Sequence, residues 1–141
     1  MCGIPRFVIC AAQIGCPLKL PFTYYWNAET DSKGRAIGFL EGFQPGHKIQ
    51  VAYRGMVDMG PDFHVCSKDD LVTVMSRLFA TFNIGRPEGY RGPSMSVGSV
   101  VEIQGVCFAV ESVGFKMVEI WESYVEPTPV SWNYHMATTE V

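Results

Sequence analysis

One segment in the second half of the chain has residue types that suit an anionic ligand. In GRPEGYRGPSMSVGS, Arg86 and Arg91 carry guanidinium groups whose forked donors fit a phosphate or a carboxylate. Tyr90 stands between them and offers a ring on which a base could stack. Glycines and small hydroxyl residues such as Ser94 let a ligand approach the backbone closely. The segment therefore predicts a ligand site formed by Arg86, Tyr90, Arg91 and Ser94.

The same segment has a purely structural interpretation. Glu88 offsets one of the positive charges, and glycine and proline are common in any connection between a helix and a strand. Arg54 and Arg77 lie elsewhere in the sequence, so only the fold could bring them to this site. If an anion binds, we expect one of these two arginines to assist. If none binds, we expect the segment to be only a connector between a helix and a strand.

Thiols offer a second kind of chemistry. Removal of Met1 would expose Cys2, and an N-terminal cysteine can act as a nucleophile with its own α-amine as the base. His64 and Cys66 are separated by one residue, so in an extended segment their side chains would lie on the same side and could pair. Because the sequence has no four-ligand spacing typical of zinc, we expect neither a metal nor a cofactor. We expect no enzyme, and a thiol enzyme using Cys2 or Cys66 is the weaker alternative.

Composition limits the classes of protein that remain. A length of 141 residues is typical of one domain, and a net charge of −3 argues against nucleic acid as a partner. No apolar run approaches the roughly 20 residues of a membrane span. The five cysteines are an odd number without a C-x-x-C pair, which favours free thiols in a reducing compartment. These features predict a cytoplasmic protein.

A single strong helix is predicted at about 68–82. Ser67 is a suitable N-cap, and Asp69 and Asp70 place carboxylates at the positive end of the helix dipole. Apolar residues recur at steps of three and four and define one stripe: Leu71, Val74, Met75, Leu78, Phe79 and Phe82. We expect this stripe to be core.

The remaining pattern predicts strands. Residues 6–13 are expected to form a buried strand, and the neighbouring Tyr24, Tyr25 and Trp26 to point to alternate faces of another. The segments 36–43 and 47–57 are predicted to be paired strands, joined by a type II turn with Pro45 and Gly46 at its centre. Three short strands are predicted at 99–104, 106–112 and 114–121, with Gly105 and Gly114 at the reversals.

The segment from 90 to 103 also carries a family resemblance. Its run Ser-Met-Ser-Val-Gly-Ser-Val-Val, followed by two short strands and a Gly-Phe, resembles the C-terminal part of YodL-type domains over about residues 69–118. The matching positions are Ser94, Met95, Ser96, Val97, Gly98, Val100, Val101, Gly114 and Phe115. Ser99 replaces the usual Asp of that pattern. In physical terms, the hydroxyl of Ser94 or Ser96 is expected to bond nearby backbone, and Gly98 to allow the turn into the strand.

Together these observations predict an α+β protein. We expect two small antiparallel β meanders, combined in a partly open barrel, with one principal helix across them. Residues 1–125 are expected to form the domain and residues 126–141 a C-terminal extension. The resemblance implies a phage or conjugative element. The leading hypothesis is therefore a binding protein that acts on a protein of the bacterial host, with counter-defence as its purpose. Sequestration of a small anionic ligand, such as a nucleotide signal, is the alternative, and a homo-oligomer is a further expectation.

Overall fold

Six strands form one sheet in the computed structural model, which describes residues 19–132. The strands are β1 (Lys19–Asn27), β2 (Ile49–Asp58), β3 (Val100–Ile103), β4 (Val106–Val110), β5 (Phe115–Val118) and β6 (Val125–Glu126). The helices are α1 (Ile37–Glu41) and α2 (Lys68–Asn83), and a 3-10 turn covers Val130–Trp132. The predicted strand at 6–13 lies outside the described residues. The α+β class agrees with the expectation.

The strand order is β5-β4-β3-β1-β2-β6, which places β1 at the centre. Phe22 of β1 pairs with Gly55 on one side and with Ile103 on the other. All pairs are antiparallel except the short β2–β6 pair. The strands form one curled half-barrel sheet, and the predicted division into two meanders is not confirmed. The three C-terminal strands are present, slightly shorter than predicted, and Gly105 and Gly114 both have positive φ at their reversals.

A β-bulge in β2 adjusts which side chains face the core. Tyr24 pairs with Tyr53 and Tyr25 pairs with Val51, so Ala52 is an extra residue in β2. Before the bulge, Val51 packs with Tyr25 in a smaller apolar cluster. After it, Tyr53 packs with Tyr24 in the larger cluster beneath α2. The bulge thus keeps the paired side chains of β1 and β2 on the same face of the sheet on both sides of Ala52.

Helix α2 covers the larger cluster as predicted. Ser67 is the N-cap and forms a capping box with Asp70, whose Oδ2 accepts the backbone N–H of Ser67 at 3.0 Å. The predicted stripe faces the sheet, with Phe79 half-buried and five residues fully buried: Leu71, Val74, Met75, Leu78 and Phe82. Within residues 19–132, no helix is both long enough and apolar enough to cross a membrane.

The strand predicted at 36–43 is wrong, because Ile37–Glu41 forms the short helix α1. The N–H of Ile37 donates to the carbonyl of Glu29 at 3.1 Å, which starts the helix at the end of the preceding turn. Phe39 and Leu40 are exposed, so the apolar residues of this segment do not mark a buried strand face. The predicted turn is present, since His47 N–H donates to the Gln44 carbonyl at 3.1 Å. It leads from α1 into β2, whose strand partner is β1.

Both faces of the sheet are apolar and buried at its centre. Tyr24 and Trp26 pack in the larger cluster under α2, whereas Tyr25 packs in the smaller cluster on the opposite face. The alternation predicted for these three residues is confirmed. Phe43, which follows α1, packs into the smaller cluster as well.

A buried polar junction connects β1, α1 and the start of β3. The Nδ2 group of Asn27 lies 3.2 Å from the carbonyl oxygen of Gly98 and 3.1 Å from Nδ1 of His47. Nδ1 of His47 also accepts the backbone N–H of Gln44 at 3.2 Å, so the proton of a neutral ring lies on Nε2. Asn27 and His47 are both buried. We call these residues, with Gly38 of α1, the Asn27 junction.

Residues 126–132 contact the rest of the structure. Glu126 pairs with Gln50 of β2, and Trp132 packs against the larger cluster. The Trp132 carbonyl accepts the backbone N–H of Arg91 at 2.6 Å. The part of the predicted C-terminal extension that the structure describes is therefore attached to the sheet and to the loop that follows α2.

Candidate functional site

The loop after α2 holds Arg86 and Tyr90 together. The N–H of Tyr90 donates to the carbonyl of Pro87 at 3.1 Å, which forms a tight turn. The Arg86 guanidinium lies 4.9 Å from the centre of the Tyr90 ring and donates to the carbonyl of Gly92. The Tyr90 hydroxyl donates to the carbonyl of Pro93 at 2.6 Å. Arg86 therefore stabilises this loop from the solvent side, and Tyr90 stabilises it from the buried side.

The ring of Tyr90 belongs to the core. It is 7 % exposed and packs edge-on against Phe82 at 5.2 Å and Tyr53 at 5.6 Å between ring centres. Burial, followed by the neighbouring Tyr24, raises the pKa of Tyr90 well above its usual range. The phenol is thus neutral and hydrogen-bonded at ordinary pH. In this position the ring packs on protein side chains rather than facing solvent, where a base could reach it.

Arg91 and Ser94 lie on the surface of the same loop. Both side chains are exposed, while the backbone is held by the bond from Arg91 N–H to Trp132 and by the Tyr24 hydroxyl, 3.0 Å from the Ser94 carbonyl. The structure therefore brings together Arg86, Tyr90, Arg91 and Ser94 of the predicted site. Of these, Arg86 is bonded to the Gly92 carbonyl, and the side chains of Arg91 and Ser94 are exposed.

Arg54 does not join that loop. It follows Tyr53 in β2, and adjacent residues of a strand point to opposite faces. Tyr53 contacts the Tyr90 ring, so Arg54 projects from the other face of the sheet. Arg77 is exposed on α2. The structure thus divides the predicted arginines between two faces of the molecule.

The face that carries Arg54 has polar side chains beside the smaller apolar cluster. The Tyr25 hydroxyl lies 3.5 Å from Oε1 of Glu102, a long hydrogen bond, and Glu102 pairs with Cys107 of β4. Burial, followed by the charge of Glu102, raises the pKa of Tyr25. Burial also raises the pKa of Cys107 to about 11, with the charges of Glu102 and Glu119 acting in the same direction. Cys107 is therefore a protonated thiol at neutral pH and a poor nucleophile.

An open cleft of about 470 Å³ lies beside Arg54, between β2 and the chain that follows β6. Its lining residues are Val51, Arg54, Val125, Glu126, Pro127 and Thr128. The Thr128 hydroxyl oxygen is buried and makes no hydrogen bond within the described part of the chain. The sequence predicted Arg54 as a ligand residue but did not place it at this cleft, because the parallel β2–β6 pair that forms the cleft joins distant segments.

Two of the residues considered for thiol or metal chemistry, His64 and Cys66, lie in the segment that leads into α2. Cys66 is exposed, and its backbone N–H donates to Oδ2 of Asp70 at 2.7 Å as part of the start of α2. His64 is exposed as well. In the described part of the chain, no group of three or more His, Cys, Asp or Glu residues is arranged to hold a metal ion. Cys2 lies outside the described residues.

A surface feature that the sequence did not indicate lies between β5 and β6. Trp121 is 76 % exposed and Tyr124 is 64 % exposed, on a turn closed by the bond from Ser123 N–H to the Ile120 carbonyl at 2.9 Å. The Trp121 ring N–H donates to Oε1 of Glu119 at 2.7 Å. The Tyr124 carbonyl accepts the N–H of Ile49 at 2.9 Å, which fixes the segment to β2. We call residues 121–125 the aromatic turn.

The Ser-Val-Gly-Ser run forms the turn before β3. Gly98 has φ of 94° and Ser99 N–H donates to the Ser96 carbonyl at 2.9 Å. The hydroxyl that bonds the backbone is that of Ser99, which accepts Ser96 N–H at 3.1 Å. Ser94 or Ser96 was expected to supply this bond, but the Ser96 hydroxyl has no partner among residues 19–132 and Ser94 is exposed. Ser99, which replaces the Asp usual in this pattern, therefore supplies a hydrogen-bond acceptor in the turn.

Comparison with protein families supports the resemblance carried by this turn. The model of the YodL-like domain matches residues 40–120, more than half of the chain. The chain belongs to the YodL-like domain family. The YodL-like match begins upstream of the segment in which the resemblance was visible and includes β2, α2 and β3 to β5, whereas β1 and β6 lie outside it. No curated protein and no solved structure matches the chain.

Proposed function

We propose that this YodL-like protein is a non-enzymatic binding protein of a phage or another mobile genetic element. In this proposal it acts in the bacterial cytoplasm by binding a host protein, and counter-defence is its purpose. The observation that carries the proposal is the aromatic turn. Exposed tryptophan and tyrosine side chains on a fixed backbone are typical of the residues that dominate protein interfaces.

The aromatic turn is suited to binding because its backbone is already ordered. The bond from Ile49 fixes the turn to β2, and the local bonds of Ser123 and Trp121 order it internally, so little conformational entropy is lost when a partner binds. Val125, the last residue of the turn, is also exposed. The acidic net charge of −3 suits a partner surface that is basic, such as one that normally holds nucleic acid.

The test is affinity capture from the bacterial host with quantitative mass spectrometry, followed by measurement of Kd with the purified partner. Trp121→Ala is expected to weaken binding about 30-fold, since a central aromatic contact contributes about 2 kcal/mol or more. Val113→Ala is the matched control, because Val113 is 89 % exposed on the turn between β4 and β5. Equal affinity of wild type, Trp121→Ala and Tyr124→Ala would contradict the proposal.

Sequestration of a nucleotide-like anion by Arg86, Tyr90 and Arg91 is less well supported by the geometry. The Tyr90 ring is buried and Arg86 is bonded to Gly92. We therefore expect the freshly purified protein to carry no ligand absorbing at 260 nm. Native mass spectrometry that shows a bound nucleotide, lost in Arg91→Ala, would instead support the anion hypothesis.

A further inference from the structure

Most of the outer edge of β2 has no strand partner among the described residues. Strand β6 pairs only with Ile49 and Gln50, and no other strand within residues 19–132 pairs with β2 on that side. The pairing ends at Glu126 because the next residue, Pro127, has no N–H to donate. Unpaired strand edges present rows of N–H and C=O groups that readily add another strand.

The open edge carries two opposite charges on one face. Arg54, Met56 and Asp58 alternate along β2 beyond the bulge at Ala52, so their side chains share the face opposite α2. Arg54 is exposed and forms no ion pair in the described part of the chain. In the described part of the chain, Oδ1 of Asp58 accepts the N–H of Gly60 at 2.9 Å, and the residue opposite Asp58 on β1 is Lys19.

We propose that a second copy of this chain pairs with this edge, β2 against β2, antiparallel about a two-fold axis through Met56. In that register Arg54 of each copy lies opposite Asp58 of the other, and the two Met56 side chains meet at the axis. The dimer extends the sheet of one copy into the sheet of its partner. The regular part of β2, beyond the bulge, forms the contact.

The charge pattern selects this register among the alternatives. A parallel, in-register pair would place Arg54 opposite Arg54 and Asp58 opposite Asp58, which is repulsive. An antiparallel pair centred on Gly55 or Val57 places neither charge opposite a charge of the other copy. Only the axis through Met56 satisfies both charges at once, and a two-fold axis makes each contact twice. Next to this part of β2, the chain that follows β6 is separated from Arg54 by the open cleft.

The register is tested by cross-linking at the axis. Residues directly opposite in an antiparallel pair have Cα atoms about 4.5–5.5 Å apart, which is within disulfide range. Met56→Cys is therefore expected to give a covalent dimer under mild oxidation, with peptide mapping showing a bond between the introduced thiols of two copies. Val113→Cys, on an exposed turn away from the edge, is the control and should not form such a dimer. Links only to native cysteines would overturn the register.

The charges are tested by a reversal cycle, measured by sedimentation equilibrium of the full chain. Arg54→Glu and Asp58→Arg are each expected to weaken the dimer at least about tenfold, because each creates two like-charge contacts. The double variant Arg54→Glu/Asp58→Arg should restore the dimer. Arg77→Glu makes the same charge change on α2 and should leave dimerisation unchanged.

Asp58→Asn separates a folding effect from a charge effect, since its Oδ1 can still accept the N–H of Gly60. It should fold as the wild type does and still weaken the dimer. A wild-type chain that stays monomeric at millimolar concentration overturns the proposal. That result would mean that another occupant, either a partner's strand or residues 1–18, covers the edge. A dimer that is unaffected by both single reversals overturns it equally.

Discussion

The carbonyl oxygen of Gly38 lies 2.6 Å from the position that a Cβ atom on Gly98 would occupy. Gly98 belongs to the turn that carries the family resemblance, and Gly38 belongs to α1. Their contact explains physically why the turn needs glycine at this position. The Asn27 junction surrounds the contact, since Asn27 bonds the Gly98 carbonyl and its side chain leaves no room for a Cβ on Gly38.

Gly98→Ala is expected to lower the free energy of unfolding by about 3 kcal/mol or more. The left-handed backbone costs an L-residue about 1–2 kcal/mol, and the clash with a backbone carbonyl adds a similar amount. Gly105→Ala is the matched control, because Gly105 also has positive φ but has open space around it, so about 1 kcal/mol is expected. Urea unfolding measures both. Equal losses would show that the contact with Gly38 is unimportant.

Asn27→Asp is expected to destabilise the protein by about 2 kcal/mol. The change removes the Nδ2 donor and leaves a buried carboxylate facing two acceptors, the Gly98 carbonyl and Nδ1 of His47. Asn83→Asp, at the exposed end of α2, makes the same chemical change without burial and should cost much less. Thermal denaturation of both variants at pH 7.5 provides the comparison. A wild-type melting temperature for Asn27→Asp would contradict this account of the junction.

Cys107 is expected to react slowly in the folded protein. With a pKa of about 11 against its usual 9.0, its thiolate fraction at pH 8 is lower by about a hundredfold. Residue-resolved alkylation with iodoacetamide, in buffer and in urea, should show this slowing for Cys107. Exposed Cys66 is the internal control and should react readily in both conditions. Fast labelling of Cys107 in the folded state would show that it is not buried as described.

The same shift predicts a pH dependence of stability. Because the folded-state pKa of Cys107 lies above its unfolded value, the folded protein holds the proton more tightly. The stability linked to this group is therefore fully present below about pH 9 and is lost as the pH rises toward 11. Cys107→Ala should show a shallower loss of stability over that range in urea titrations. If the free energy of unfolding fell equally with pH in the wild type and in Cys107→Ala, the expectation would be contradicted.

A fragment limited to residues 40–120 is expected not to fold. It contains the whole family match but lacks β1, which pairs with both β2 and β3 at the centre of the sheet. Without β1 the larger cluster loses Leu20, Phe22 and Tyr24, all buried. Residues 19–132 serve as the control and should unfold cooperatively. A sharp thermal transition in the shorter fragment, followed by circular dichroism, would refute this expectation.

The elements that the sequence predicted well are those whose signals are local. The stripe of α2, its Ser67 cap and the positive-φ glycines at the C-terminal reversals depend only on neighbouring residues. Helix α1 was missed because five residues are too few to show a helical period. Its apolar residues Phe39 and Leu40 suggested a buried strand in the sequence, but they are exposed in the structure.

The candidate site was harder to predict because it depends on contacts between distant segments. Tyr90 looked available for stacking, but its ring fills a space among Tyr24, Tyr53 and Phe82 that only the assembled sheet creates. Arg54 was grouped with the loop arginines, although its neighbour Tyr53 points to that side and Arg54 to the other. The exposure of Trp121 and Tyr124 likewise depends on where β6 joins β2.

The central position of β1 has a consequence for how the protein is made. Phe22 pairs with Ile103, and Tyr25 with Val100, so the second neighbour of β1 is synthesised much later than β1 itself. Sheets with such distant pairings fold slowly, because a long loop must close before the contacts form. On the ribosome, β1 and β2 can form a hairpin early, but one edge of β1 must wait until β3 has emerged. Folding of this chain is therefore expected to wait until β3 has emerged, and nascent chains stalled before Val100 should be substrates for chaperones.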